Sequence, residues 1–328
     1  MRITAVPVDA ELLDLPWSAP LETWAHDQLV TLPRGISRHV VRFVRINGTV
    51  YAVKETPRRM AEREYALLRA VEKLELPAVQ AVAVVHDRRD PDGVPLDAAL
   101  ITRHLRFSLP YRALFSDTLD PDTLNRLLDA LALLLVRMHL LGFFWGDCSL
   151  SNTLFRRDAG TFAAFLVDAE TGALHPQLSD GQRREDIELA RINLFGETLD
   201  VATAGSLDPS IDPEWVADAV VRRYEALWHE LTYQEFVPFD ERHRLEARIR
   251  RLNTLGFDVA EFSLATVGEG FTLRPMVVDA GHHARRLNRL TGLTTQENQA
   301  RRLLNDLDRF RAANHILDEE LAAHRWLT

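Results

Sequence analysis

The stretch Trp145-Gly146-Asp147-Cys148-Ser149-Leu150-Ser151-Asn152, followed later by Phe165-Leu166-Val167-Asp168, decides the reading of this 328-residue chain. Asp147 and Asn152 lie five apart, in and just beyond an irregular segment, 142–151, after an apolar helix expected from Thr123 to about Leu141. Two short apolar runs, Thr153-Leu154-Phe155 and Phe165-Leu166-Val167, read as strands. Asp168 ends the second, where a side chain faces a cleft. Phosphoryl transfer needs one carboxylate to orient the attacking hydroxyl and further oxygen ligands for Mg2+. Asp147 suits the first role; Asn152 and Asp168 suit the second.

Working towards the N-terminus, Val40–Ile46 reads as a strand, Asn47-Gly48 as a two-residue hairpin loop, and Thr49–Lys54 as the returning strand. Of the chain's 39 basic residues only two, Lys54 and Lys73, are lysine. A lysine head is a compact point charge suited to phosphates, whereas arginine is a broad planar fork. Lys54 therefore stands out before any motif is considered. A helix over Met60–Leu74, a strand over Gln80–His86, a turn at Asp90-Pro91-Asp92-Gly93 and a strand over Ala98–Thr102 complete a strand–strand–helix–strand–strand order.

Towards the C-terminus, a helix is expected over Gln182–Leu199, a linker over 204–213 and an amphipathic helix over Pro213–Leu231. A helix over Glu241–Asn253 ends at Gly256, a C′ glycine. Val259–Ala265 and Phe271–Val278 flank Gly268-Glu269-Gly270 as a hairpin. Two or three helices follow, the second opening on a capping box at Thr294-Thr295-Gln296-Glu297.

These motifs, in this order, resemble the protein-kinase-like superfamily. Its catalytic loop carries an Asp followed five residues on by an Asn, with a metal-binding Asp one hairpin later. Gly146-Asp147 is most similar to the form found in small-molecule and lipopolysaccharide-type kinases, with Trp145 where His is usual. Val50–Lys54 is similar to the strand bearing the phosphate-binding lysine, and Arg63-Glu64-Tyr65 to the helix bearing that lysine's Glu partner. Glu62 lies on the same helix, and the choice between Glu64 and Glu62 stays open. Arg103, His104 and Leu105 fall at the hinge, where adenine meets backbone groups. Leu32–His39 stands for the glycine-rich loop with a single glycine, so phosphate cradling rests on Gly35, helped by Ser37 or Arg38. The metal tripeptide is Asp168-Ala169-Glu170 in place of Asp-Phe-Gly; Glu170 is either an extra metal ligand or a cap. Asp186, on the next helix, is placed to brace the catalytic loop. The last ninety residues are similar to a domain of unknown function.

The resemblance implies an α+β, two-lobed protein-kinase-like fold with an additional C-terminal α+β domain. The expected units are an N-lobe over 1–105, a helical C-lobe over 106–235 and an accessory domain over 236–328. It further implies ATP and Mg2+ as cofactors, with Asp147 and Lys54 as catalytic residues, Asn152 and Asp168 as metal ligands, and a small-molecule, sugar or lipid-linked hydroxyl as acceptor. Two other readings stand beside it, an atypical protein kinase and a non-enzymatic nucleotide- or partner-binding module. The glycine-poor loop and Trp145 favour the last.

Composition bounds the rest. The net charge of −9 argues against general nucleic-acid affinity. The longest apolar stretch, Leu131–Val136, is far short of a membrane span. No signal peptide is expected, and a lone cysteine, Cys148, fits a cytoplasmic chain and a small buried filler. Residues 240–328 hold fourteen Arg against thirteen Asp and Glu. Arg285, Arg286, Arg289, Arg301 and Arg302 form either an anion site or solvated ion pairs. His282-His283 lacks the acid or cysteine cluster of a metal site.

Overall fold

In this computed structural model, which describes residues 1–6, 10–25, 29–32, 38–115, 119–241, 243–317, 320 and 323, the first hundred residues are built around a six-stranded antiparallel sheet and one long helix. Its elements are β1 (Arg2–Ala5), β2 (Leu29–Val30), β3 (Val40–Ile46), β4 (Thr49–Thr56), α1 (Arg58–Lys73), β5 (Gln80–His86), β6 (Arg88–Arg89), β7 (Pro95–Leu96) and β8 (Ala98–Arg103). The six-stranded sheet runs β1-β5-β8-β4-β3-β2, and β6 and β7 pair separately. Asn47 and Gly48 both take positive φ, 48° and 78°, as a two-residue loop between right-twisted strands requires. Strand alternation then divides the residues between two faces. Leu100, Ala81 and Val84 meet Ala61, Leu68 and Val71 of α1. Tyr51, Val53, Val85 and Ile101 meet Leu12, Leu15, Trp17, Leu21 and Trp24 of the opening segment.

That opening segment carries no readable pattern in the sequence, yet it packs against one face of the sheet. Arg88 holds it there. Its fully buried guanidinium donates to the Trp17 and Ala19 carbonyls and to Glu55.

The second lobe comprises β9 (Ser108–Pro110), α2 (Tyr111–Leu114), α3 (Pro121–Leu140), β10 (Phe143–Phe144), β11 (Thr153–Asp158), β12 (Thr161–Leu166), β13 (Ala173–Leu174), α4 (Asp180–Thr203) and α5 (Pro213–Thr232). Asp120 caps α3 by accepting the Thr123 N–H at 2.8 Å, with Pro121 at the first helical position. Leu127, Leu131, Leu134, Leu135 and Met138 of α3 are buried in the main core with Leu194 of α4 and Val220 and Tyr224 of α5. β12, β11 and β9 form a small sheet in that order. Leu166 joins the lobes, exchanging backbone hydrogen bonds with Pro77 and Val79. β12 stops at Leu166, so Asp168 sits two residues beyond the strand.

The C-terminal unit has β14 (Glu235–Pro238), α6 (His243–Thr254), β15 (Phe257–Val267), β16 (Gly270–Ala280), α7 (His282–Thr291) and α8 (Glu297–Asn314). The expected hairpin about Gly268 is present but longer, and β16 is the middle strand between β14 and β15. Leu252, Phe257 and Ala280 belong to the same apolar cluster as α3 and α5.

One expectation fails. The capping box at Thr294–Glu297 does not form, because α8 begins at Glu297 and its N-cap, Gln296, makes no side-chain cap bond. Glu297 turns instead to the start of α7, accepting the His283 and Ala284 N–H groups at 2.9 Å each. The start of α8 is served from the other lobe: Asp158, at the end of β11 and 4% exposed, accepts the Asn298 and Gln299 N–H groups at 3.0 and 2.9 Å. Both carboxylates lie at the positive ends of helix dipoles. Asp158→Ala should therefore destabilise the protein by about 1–2 kcal/mol, in the range of a lost cap. Amide exchange should quicken first at the start of α8; unchanged exchange there would show that Asp158 does not hold the helix.

Candidate active site

Lys54 alternates with the buried Val53 on β4, which turns its ammonium away from the opening segment and towards α1. There Nζ lies 2.6 Å from Glu64 Oε2, 2.9 Å from Asp168 Oδ2 and 3.4 Å from Glu170 Oε2. The partner is Glu64 and not Glu62, which pairs with Arg58 at 2.7 Å on the exposed side of α1. Glu64 belongs to the buried stripe Ala61, Glu64, Leu68, Val71. Burial works against the Lys54 ammonium, but Glu64 and Asp168 outweigh it and raise its pKa. Burial, then the nearby Asp168 charge, push Glu64 up to about 7 against the pull of Lys54.

The loop 145–152 is held from below by α4. Asp186 is fully buried; Oδ2 accepts the Trp145 N–H at 2.7 Å and Oδ1 the Gly146 N–H at 2.8 Å. His139 Nε2 lies 3.0 Å from Oδ2, and its Nδ1 is 2.7 Å from the Tyr224 hydroxyl. The expected brace is therefore present. Gly146 takes φ +75°, and a Cβ there would lie 3.0 Å from the Phe144 ring, which explains a glycine beside Asp147. Trp145 is fully buried and its indole N–H donates to the Asp168 carbonyl at 3.1 Å. It ties the loop to the Asp168 segment.

Asp147 receives two amides: Asn152 Nδ2 at 3.0 Å on Oδ2 and Asn193 Nδ2 at 3.0 Å on Oδ1. Partial burial raises its carboxyl above the ordinary value, and the Asn152 hydrogen bond opposes that. Glu197 accepts the Leu150 and Ser151 N–H groups at 2.6 and 3.2 Å. Asn193 and Glu197 were not singled out in the sequence. Their signal is the spacing Asp186, Asn193, Glu197, seven and four apart on one face of α4.

These groups open on a cleft of about 1120 Å³ between the lobes, lined by Lys54, Asp147, Asn152 and Asp168 together. Part of its lining is apolar, with Ala52 and Leu100 from one lobe and Leu154 and Val167 from the other. At the hinge, Arg103 and His104 line the cleft, whereas Leu105 is not among its lining residues. The His104 N–H is already donated to the Val50 carbonyl at 2.9 Å. Gly35 and Ser37 lie outside the described residues.

Glu64, Asp168 and Glu170 form a cluster of carboxylates whose oxygens lie within 4.8 Å of one another. The Lys54 ammonium stands among them, so the chain's own cation already fills that cluster. A metal suits a different set. Asn152 spends Nδ2 on the Asp147 main-chain oxygen (3.1 Å) and on Oδ2, which leaves Oδ1 as a ligand atom. With the Asp168 carboxylate on the same cleft, this hard-oxygen pair fits Mg2+.

Other candidates resolve differently. Burial, then Asp186 and Glu197, push the Cys148 thiol well above its ordinary value, in keeping with a packing role. His282 Nδ1 faces Asp258 at 2.5 Å and His283 Nδ1 faces Glu297 at 2.7 Å. Arg285 and Arg286 are engaged by Asp258 and Asp308.

An α+β chain of two lobes, with a lysine–glutamate pair facing an Asp–Asn loop and a further Asp across one cleft, has the architecture of a protein-kinase-like phosphotransferase. The family described as lipopolysaccharide kinase (Kdo/WaaP) matches residues 39–202, half of the chain. The chain belongs to the lipopolysaccharide kinase (Kdo/WaaP) family and is a kinase. Residues 226–328 match a domain of unknown function, DUF4032. Among solved structures, the chain is similar to one described as WaaP in complex with acyl carrier protein, at 18% identity, over 78% of this chain and 99% of that one, with a TM-score of 0.46. No curated protein matches.

Proposed function

We propose that the cleft is the active site of an ATP-dependent kinase that transfers the γ-phosphate to a hydroxyl of a small-molecule, sugar or lipid-linked acceptor. The observation that carries this reading is the convergence of Lys54 and Asp168, at 2.9 Å, on a cleft that Asp147 and Asn152 also line. Lys54, oriented by Glu64, contacts the α- and β-phosphates. The apolar walls at Ala52 and Leu154 take the adenine. Asp147, aligned by Asn152 and Asn193, orients the acceptor hydroxyl and takes its proton late. Asn152 and Asp168 hold Mg2+, which when bound neutralises charge on the phosphates. Catalysis is then chiefly positioning and charge stabilisation.

On the same footing the chain divides into an N-lobe (1–105), a C-lobe (106–235) and an accessory domain (236–328), and acts in the cytoplasm. Among the described residues no helix is long and apolar enough to cross a membrane.

The test is Mg2+-dependent ATP consumption by the full chain against panels of sugars, polyols, lipid-linked sugars and peptides. Asp147→Asn and Asp168→Asn should each lower turnover by about a thousandfold, the scale of removing a positioned acid–base or charge-stabilising group. Binding of ATP without turnover on any acceptor would make the protein a nucleotide-binding module, and phosphorylation confined to peptides would make it a protein kinase.

A further inference from the structure

Glu170 is the third residue of the Asp168-Ala169-Glu170 tripeptide, which stands in place of Asp-Phe-Gly, and it is only 5% exposed. A buried carboxylate must be compensated, and this one is met by three basic side chains that line the cleft. Its Oε1 accepts from Arg38 Nη2 at 3.2 Å. Its Oε2 lies 3.0 Å from His39 Nε2 and 3.4 Å from Lys54 Nζ. Arg38 and His39 immediately precede β3, at the end of the segment that stands for the glycine-rich loop, and both line the cleft.

Arg38 is the informative partner. Its side chain is 65% exposed, so solvent reaches the guanidinium from the cleft while Glu170 holds it from the buried side. Its charge is also felt at Asp147, where it stabilises the carboxylate. Arg38 is therefore bonded to Glu170 and lines the same cleft as Asp147.

Resting on the nucleotide reading above, we propose that Glu170 is an internal stand-in for phosphate that holds Arg38 and His39, and that these two residues bind the terminal phosphates of the nucleotide in place of a glycine-rich loop. Without nucleotide, the carboxylate keeps the Arg38 guanidinium and the His39 ring gathered on itself. A phosphate arriving there competes with it. Arg suits this exchange because its fork presents several N–H donors and can turn one edge to each anion.

The experiment is calorimetric titration of metal-free ATP, and separately of Mg2+–ATP, into the full chain and its Glu170→Gln and Arg38→Ala variants. Glutamine keeps the shape and one acceptor oxygen but removes the charge. Glu170→Gln should bind metal-free ATP about tenfold more tightly, the size expected when a competing charge-assisted contact is removed. Arg38→Ala should bind it about tenfold more weakly, and this exposed substitution carries the test if Glu170→Gln does not fold. Unchanged or weaker binding by a folded Glu170→Gln overturns the proposal, as does an Arg38→Ala variant with wild-type affinity. A loss confined to Mg2+–ATP would make Glu170 a metal ligand and also overturns it. If wild type and variants bind no nucleotide under either condition, the nucleotide reading itself falls; normal wild-type binding without the expected shifts sinks this proposal alone.

Discussion

Lys54→Met should lower the melting temperature by about 10 °C at pH 8 and remove phosphotransfer. Breaking a buried ion pair costs about 3–5 kcal/mol, and each kcal/mol is about 2–4 °C for a protein of this size class. The cost arises from what remains behind. Glu64 and Glu170 are buried and Asp168 adjoins them, so methionine leaves three carboxylate groups facing one another without their ammonium. The sign of the pH dependence follows from Glu64, whose pKa is already raised to about 7 by burial and Asp168. Between its unfolded value, near 4.5, and that raised value, the folded state holds a proton that the unfolded state has released. Stability contributed by this group therefore falls as pH rises through the window. Removing Lys54 deletes the opposing pull, so the mutant's deficit should be small near pH 5 and should widen towards pH 8. Thermal melts across that range check this, and a flat deficit would show that the carboxylates are not gathered on the ammonium.

Asp186→Asn should lower stability by about 3 kcal/mol and turnover by about a hundredfold, though Asp186 touches neither nucleotide nor acceptor. The carboxylate accepts from Trp145 N–H, Gly146 N–H and the His139 ring, all within 3.0 Å and without water access. An amide presents one oxygen, so at least one buried donor loses its partner, and each such loss costs about 1–3 kcal/mol. The two backbone donors immediately precede Asp147, and misplacing a catalytic group by about 1 Å can cost about 100-fold. Single-turnover rates alongside chemical denaturation distinguish the two effects. An asparagine variant with wild-type rates would show that the loop is positioned by Asn193 and Glu197 alone.

How much of this was legible beforehand varies by element. The β3–β4 hairpin was readable because Asn-Gly satisfies the positive φ values locally. The long α3 was readable from its apolar periodicity and its Asp120-Pro121 start. The Asp147–Asn152–Asp168 spacing was readable because one loop and one hairpin set it. The Glu64 choice was left open, although Glu64 shares a helical stripe with Ala61, Leu68 and Val71 while Glu62 does not. At Glu297 the local rule gave the wrong answer. Its carboxylate had two helix starts within reach, and the one not adjacent in sequence won because Asp158 already served the other.

Sequence alone settled which residues are capable of chemistry here and, through short-range spacing, which of them travel together. It did so because turn chemistry and helical or strand periodicity act over a few residues. Tertiary structure alone decided the pairings made across a hundred residues or more: Lys54 with Asp168, Glu170 with Arg38 and His39, and Asp158 with α8. Those depend on how lobes close and which buried charges must find partners, and no local pattern encodes the distance between two segments that meet only when the core is formed.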